Sequence, residues 1–305
     1  MKRKIVQQGK SSLNVSIPNA WIKRHGMMKG DEINIEEKED NLILSTGKPS
    51  APSKKTLDAR DLDEQALNWY LISLYCSGYD ELKILFSDHT QLDIIHNKIR
   101  NLLGYNIMEQ REKYCIVRSI SQPVEEELEP SLRRNFQVTL SIAESTYEAL
   151  KNKDKDAFKS VLKVEDTCNR ITYFCLRLLN KKGYKGTSKT TYMHSLISRL
   201  ENIADAYGDI MKDIRRKGLE IDLSDKVLEL FRDINTLLRI FYENFYKPDK
   251  NKLKEMAEKV HTEFDRMMEM TMDANPAEQH VIYFLNCVRN YIGESIVAVL
   301  GINSE

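Results

Sequence analysis

The sequence has few of the features that mark membrane proteins and disulfide-stabilised domains. Its 305 residues include 7 prolines, 12 glycines and 5 cysteines. No apolar run approaches the roughly 20 residues needed to cross a bilayer, and the N-terminus lacks the apolar segment of a signal peptide. The cysteines are scattered and none forms Cys-x-x-Cys, so buried free thiols in a reducing compartment are expected. We therefore expect a cytoplasmic protein without membrane insertion.

The common catalytic signatures are also missing. The chain contains no P-loop, no nucleophile elbow, no Gly-x-Gly-x-x-Gly and no His-Glu-x-x-His. Carboxylate-bridged di-iron bundles use two Glu-x-x-His pairs and a Glu from each of two other helices. This chain has one such pair, formed by Glu258 and His261. These absences predict a protein that is not an enzyme and that holds no organic cofactor.

Charge is balanced over the whole chain but not along it. The 46 Lys and Arg residues equal the 46 Asp and Glu residues in number. Residues 1–30 nevertheless carry seven basic groups and no acidic one, and the acids begin at Asp31. The seven are Lys2, Arg3, Lys4, Lys10, Lys23, Arg24 and Lys29. A basic end on a neutral protein indicates a polyanionic partner for that end.

Residues 1–46 predict a small β module. The expected elements are strands at 4–7, 13–17, 32–36 and 42–45, and a helix at 20–25. Pro18 is expected to end the second strand and Asn19 to cap the helix. Four short strands and one short helix bury too little surface on their own. The pattern therefore predicts an intertwined homodimer.

Motifs of this module match a known family. They are Arg3-Lys4, Gly9-Lys10, Val15-Ser16-Ile17-Pro18, Trp21, Lys23-Arg24, Gly26, Lys29-Gly30-Asp31 and Leu42-Ile43-Leu44. The set resembles the AbrB/MazE (SpoVT-AbrB) swapped-hairpin family. The resemblance implies a dimer of interleaved hairpins that binds DNA through basic residues on one face. The DNA-binding residues it implies here are Arg3, Lys4, Lys10, Lys23 and Arg24.

A linker and a small α/β domain are predicted next, at residues 47–122. Residues 47–55 are rich in Pro, Ser and Lys, a composition typical of a linker. Strands are then expected at 56–59, 81–86, 106–110 and 114–119, and helices at 62–75 and 90–103. This β-α-β-α-β-β order predicts a small sheet covered by helices on one face.

Helical periodicity dominates the rest of the chain, and we assign residues 131–305 to a helical domain. Pro123 and Pro130 bracket an acidic stretch at 125–129, which we interpret as a second linker. Breaks near 151–154, 181–188, 218–224, 247–250 and 274–277 divide the domain into six helices. Its halves, about 131–217 and 221–303, look like an internal repeat. Residues 164–170 line up with 260–266, and residues 203–205 line up with 292–294.

Polar pairs separated by four residues recur on four of these helices. They are Glu165/Asn169, Glu201/Asp205, His261/Asp265 and Asn290/Glu294. This spacing projects both side chains of a pair from the same side of a helix. The fourth pair matches poorly, because Asn290 points away from the apolar stripe of its helix. The pairs could bind metal ions, face solvent, or form a polar rim that holds the two bundles together or holds a partner.

The segment Leu200-Glu201-Asn202-Ile203-Ala204-Asp205 resembles the Leu-Glu-x-Ile-Gly/Ala-Asp motif of the PhoU family. The resemblance implies two three-helix bundles, iron or zinc clusters on their surface, and a role in phosphate regulation. The metal ligands it implies are Glu165, Asn169, Glu201, Asp205, His261, Asp265 and Glu294. Carboxylate and imidazole ligands suit Fe, Zn or another divalent or trivalent metal. Asn169, Asn290 and His261 depart from the family motif, which should weaken metal binding.

The expected fold is multidomain: a swapped-hairpin β module, a small α/β domain, and an all-α PhoU-like pair of three-helix bundles. The leading hypothesis is a transcriptional regulator of phosphate uptake, in which a metal-binding sensor controls a dimeric DNA-binding module. The alternative is an adaptor that does not bind DNA. It would dock on a phosphate transporter ATPase or on a signalling protein such as a kinase.

Overall fold

The computed structural model describes residues 2–9, 12–38, 41–46, 52–120, 125–185 and 187–304. The chain forms two compact units, Met1–Ala51 and Pro52–Glu305. Within the described ranges, no helix is both long enough and apolar enough to cross a membrane. All five cysteines are free, and Cys115, Cys168 and Cys175 are buried.

The first unit consists of two hairpins and a short helix. Its elements are β1 (Val6–Gln8), β2 (Ser12–Asn14), α1 (Asn19–Arg24), β3 (Asn34–Lys38) and β4 (Asn41–Ser45). β1 pairs with β2 and β3 with β4, both antiparallel, in two separate sheets. The predicted extension of the second strand to residue 17 is wrong. The predicted cap is also wrong, because Asn19 is the first helical residue and Pro18 occupies the N-cap position. The Pro18 carbonyl instead accepts from the backbone N–H groups of Trp21 and Ile22.

Apolar side chains of the first unit are largely uncovered in a single chain. Among its described residues, Met27 is the one buried hydrophobic residue. The large apolar side chains left 44–77% exposed are Ile5, Val6, Leu13, Val15, Met28, Ile35, Leu42 and Ile43. Full burial of one such side chain contributes about 1.5–3 kcal/mol. In one copy of this unit, most of the apolar surface whose burial could stabilise the fold therefore remains exposed to solvent.

The second unit begins with a four-stranded sheet and two helices. Its elements are β5 (Lys54–Asp58), α2 (Glu64–Cys76), β6 (Glu81–Leu85), α3 (His89–Arg100), β7 (Tyr105–Gln110) and β8 (Tyr114–Ser119). The strand order is β5-β6-β8-β7, with β5 and β6 parallel and the other pairs antiparallel. The predicted β-α-β-α-β-β order is confirmed. The predicted linker extends too far, because Lys54 and Lys55 already pair with Glu81 and Leu82. Its residues 47–51 lie outside the described ranges.

Six long helices complete the unit. They are α4 (Leu128–Lys151), α5 (Ala157–Lys182), α6 (Thr187–Lys217), α7 (Asp225–Tyr246), α8 (Lys250–Thr271) and α9 (Pro276–Asn303). The prediction of six helices is confirmed. The predicted acidic linker at 125–129 is wrong, because Glu125–Glu127 forms a 3-10 turn that leads directly into α4. Pro130 is tolerated there because the first N–H groups of a helix have no intrahelical acceptor.

The helices pack as two successive groups of three. In each group the three helices contact one another, and α6 packs along α9 to join the groups. α4 and α7 also meet, so the first and third helices of one group contact their counterparts in the other. One apolar core runs through all six helices, with residues such as Leu200, Phe231 and Ile292 fully buried. The contacts within the first group of three helices thus recur within the second group, in parallel with the similarity between the two halves of the sequence.

Arg177 of α5 joins the helices to the α/β part. Its side chain is 1% exposed and pairs with Asp80 at 3.2 Å. It also donates hydrogen bonds to the carbonyl oxygens of Tyr75 and Tyr79, at 2.9 and 2.7 Å. Lys181, one turn further along α5, forms a second ion pair with Asp80. These bonds fix the end of α2 and the start of β6 against α5.

Candidate functional sites

The predicted DNA-binding residues occupy two places in the first unit. Arg3 and Lys4 precede β1 and are separated from its start by one residue, and Lys23 and Arg24 are in the last turn of α1. All four are exposed, and none forms an ion pair with any residue that the structure describes. Lys10 lies outside the described residues. Exposed and uncompensated cations can neutralise phosphate groups, which is the main source of affinity for nucleic acids.

Four predicted metal ligands come together on the facing sides of α5 and α6. Asn169 donates a hydrogen bond to Glu165 over 3.0 Å within α5. Asp205 of α6 lies within hydrogen-bonding reach of Glu165, and Glu201 is close to both carboxylates. Glu165 is 6% exposed, so this carboxylate cluster (Glu165, Asn169, Glu201 and Asp205) reaches into the bundle. It gathers three acidic groups and one amide at one place.

Burial and mutual repulsion control protonation in the cluster. Burial, with the negative charges of Glu201 and Glu165, raises the pKa of Asp205 to about 7. Burial also raises the pKa of Glu201, although a hydrogen bond with Tyr173 opposes the effect. A substantial fraction of Asp205 is therefore protonated near neutral pH. An additional positive charge would relieve the same repulsion.

Lys212 supplies part of that positive charge. Its amino group lies 3.3 Å from Glu165 and 3.3 Å from Asp209. Desolvation lowers the pKa of Lys212, but the two carboxylates outweigh it and the net shift is upward. Gly208 lets Glu165 approach α6, since a Cβ there would lie 3.2 Å from the Glu165 Cγ. The cluster is thus a closely packed arrangement with more acidic than basic groups.

The donor chemistry of the cluster fits a hard cation. Asn169 Oδ1 and Asp205 Oδ1 are buried acceptors without a hydrogen-bond partner among the residues that the structure describes. Unpaired oxygens of this kind are ligands for oxygen-preferring metals. In the described ranges, however, no group of three or more His, Cys, Asp and Glu side chains has an arrangement that could hold a metal ion. Metal binding by these residues stays a prediction.

The equivalent residues in the second group of helices are arranged differently. Glu294 of α9 forms an ion pair with Arg199 of α6 at 2.6 Å and accepts a hydrogen bond from Asn290. His261 and Asp265 are both exposed on α8. In the part of the chain that the structure describes, no ion pair or hydrogen bond joins either of them to Glu294. An arginine here pairs with a carboxylate that the sequence predicted to be a metal ligand.

Sequence reasoning did not include Tyr173, Lys212 and Arg199 among the site residues. Two of them carried a signal. Tyr173 follows Asn169 by four residues, and Lys212 follows Asp205 by seven, so each extends a helix face already singled out. Arg199 gave no such signal, because its partner Glu294 is 95 positions away on another helix.

Comparison with known families identifies the first unit. Residues 6–55 match the MazE family, described as antidote-toxin recognition MazE, bacterial antitoxin. The N-terminal part is therefore a MazE/AbrB-type domain. No curated protein matches the chain significantly.

Two solved structures are similar to part of the chain. One is the phosphate transport system regulatory protein PhoU from Streptococcus pneumoniae, with 18% identity and a TM-score of 0.46, covering 59% of this chain and 95% of that one. The other is a PhoU-like protein from Shewanella oneidensis MR-1, with 11% identity and a TM-score of 0.40, covering 57% of this chain and 96% of that one.

Proposed function

We propose that this protein is a dimeric, DNA-binding transcriptional regulator of phosphate uptake. The MazE/AbrB-type domain at the N-terminus carries the proposal, because it presents exposed basic side chains that form no ion pair with any residue the structure describes. The exposed apolar residues of its hairpins would be covered by a second copy. The helical part would be a non-enzymatic sensor. Its assignment to phosphate rests on the resemblance of residues 200–205 to the PhoU motif.

The proposal predicts a salt-dependent DNA affinity that requires these cations. The triple variant Arg3→Gln, Lys23→Gln, Arg24→Gln removes six positive charges from a dimer. We expect it to bind promoter DNA about 100-fold or more weakly, because fewer counterions are released. Gel shifts on the regions upstream of phosphate-transport genes, across a salt series, measure the change. Lys10→Gln can be tested in the same assay.

A charge-matched control separates local contacts from net charge. Lys226→Gln, Lys250→Gln, Lys254→Gln removes the same number of charges from the helical part and should leave DNA affinity nearly unchanged. Light scattering should show a dimer for both triple variants. Weak binding that is equal on any duplex, and equal in both variants, would contradict the regulator proposal. It would favour the adaptor that docks on a transporter or a signalling protein.

We also propose that the carboxylate cluster binds a divalent or trivalent metal such as iron, zinc or manganese. Glu165, Glu201 and Asp205 would hold the ion, whose positive charge would offset the repulsion among the three carboxylates. At a metal concentration of 100 times Kd, binding stabilises the folded state by about 2.7 kcal/mol. We expect Mn²⁺ or Zn²⁺ to raise the thermal unfolding temperature of the parent protein at pH 7.5, but not that of Glu201→Gln.

Asp209→Asn is the control for the metal experiment, since Asp209 lies one turn from Asp205 and contacts Lys212 outside the cluster. Elemental analysis of the purified protein gives an independent measurement. An equal thermal shift in the parent and in Glu201→Gln would show that the metal binds elsewhere.

A further inference from the structure

A cavity of about 240 Å³ opens between the start of α5 and the end of α6. Its walls divide into two kinds of surface. The apolar wall comes from Phe158, Ile214 and Leu219, of which Phe158 and Ile214 are buried. The cationic rim comes from the exposed side chains of Lys155, Lys159 and Arg215. No acidic residue is among those that line it.

The three rim cations are unpaired within the described ranges of the chain. Among the residues that the structure describes, none of them forms an ion pair. Their neighbours on α6 behave differently. Arg216 pairs with Asp213 at 2.6 Å, and Lys217 pairs with the same carboxylate at 3.5 Å. The acid nearest in sequence to Arg215 is therefore engaged, and the rim stays positively charged.

The backbone at the end of α6 builds the apolar wall. Gly218 has a φ of +61°, a conformation that glycine adopts without strain. The Leu219 N–H donates to the Ile214 carbonyl at 3.0 Å, and the Gly218 N–H donates to the Arg215 carbonyl at 3.3 Å. This glycine-dependent helix end turns Leu219 back over the last turn of α6. Leu219 is thus held at the cavity by hydrogen bonds as well as by packing.

We propose that this cavity binds a small organic phosphate with a compact apolar or aromatic body. The phosphate would lie at the rim, where Arg215 can donate two parallel hydrogen bonds and the lysines add point charges. The apolar body would cover Phe158, Ile214 and Leu219. Inorganic phosphate alone would leave that wall uncovered. This inference goes beyond the regulator proposal and does not depend on DNA binding.

Titration calorimetry of the full chain tests the site with three probes. Phenyl phosphate has both the phosphate group and the apolar ring of the proposed ligand. Inorganic phosphate has only the first, and phenol has the ring without the phosphate. We expect one phenyl phosphate per chain, bound at least about tenfold more tightly than either of the other probes. No saturable binding of phenyl phosphate, or equal affinity for phenyl and inorganic phosphate, would overturn the proposal.

Matched variants locate the site. Arg215→Gln and Lys159→Gln should each weaken phenyl phosphate binding about fivefold or more. Arg216→Gln and Lys163→Gln, which neutralise cations outside the lining of the cavity, should not. Leu219→Ser should weaken phenyl phosphate but not inorganic phosphate. All five positions are at or near the surface, so each variant should fold, which circular dichroism checks.

A final control concerns the other basic region of the chain. The triple variant Arg3→Gln, Lys23→Gln, Arg24→Gln should keep full affinity for phenyl phosphate even if it no longer binds DNA. Loss of phenyl phosphate binding in that variant would place the anion on the N-terminal domain and overturn the cavity proposal. If the variant loses DNA binding but keeps its affinity for phenyl phosphate, the cavity proposal is supported.

Discussion

Arg177→Met is expected to lower the free energy of unfolding by about 3–5 kcal/mol, the usual cost of removing one partner of a buried ion pair. Arg177 is 1% exposed, and its guanidinium satisfies the carbonyl oxygens of Tyr75 and Tyr79 as well as Asp80. Methionine fills similar space but leaves all three oxygens without this donor. Chemical denaturation of both proteins at neutral pH measures the difference.

Lys181→Met provides the comparison, because it removes the other cation of Asp80 from a more accessible position, 17% exposed. We expect it to cost less than half as much. Adding Asp80→Asn to Arg177→Met should recover part of the loss by removing the unpaired charge. Hydrogen exchange should show faster opening at the end of α2. Equal losses of unfolding free energy in the two single variants would mean that the deeper burial of Arg177 does not increase its contribution to stability.

Asp205→Asn, unlike Arg177→Met, is expected to stabilise the metal-free protein, by up to about 4 kcal/mol at pH 8. In the folded protein, burial and the charges of Glu201 and Glu165 raise the pKa of Asp205 from 3.8 to about 7. The folded state therefore disfavours the ionised carboxyl more than the unfolded state does. The resulting penalty is absent below pH 4, grows as the pH rises, and is complete above pH 7.

Asparagine is neutral throughout and avoids that penalty. The stability difference between the variant and the parent should therefore shrink steadily from pH 8 to pH 5, which urea denaturation in the presence of a chelator can follow. Asp209→Asn, on the same helix but 44% exposed, is the control variant for the same measurement. A constant difference across the pH range would mean that Asp205 is ionised at pH 5 as well.

Periodicity predicted most of the fold because the second unit buries its apolar faces within one chain. The six long helices and the β-α-β-α-β-β order each follow from stripes that pack against residues of the same unit. The errors lie at residues whose composition suggested a linker or a break, although their hydrogen bonds place them in a strand or a helix. Lys54 and Lys55 look like linker residues, but the hydrogen bonds of a parallel strand pair place them in the sheet. Pro130 looks like a break but occupies the first turn of α4.

The candidate site was predictable only in part, because its residues meet through the packing of helices that are separate in the sequence. Spacing of four along one helix identified Glu165/Asn169 and Glu201/Asp205 as pairs. Their proximity to each other depends on how α5 packs against α6, and the sequence suggested it only through the repeat and the PhoU motif. The same motif led to Glu294, which instead pairs with Arg199. A contact between distant helices leaves no periodic trace in the sequence, so the arginine could not be anticipated.

The exposed hairpins of the first unit would make the proposed regulator sensitive to its own abundance. If a second copy supplies the missing apolar cover, the stability of this domain depends on protomer concentration, as it does for obligate dimers. The population of folded, DNA-competent domains would then rise more steeply than the amount of protein synthesised. Below a threshold copy number the two hairpins would be open to proteases while the helical part stayed intact. Dilution alone would then release the promoters, without any ligand.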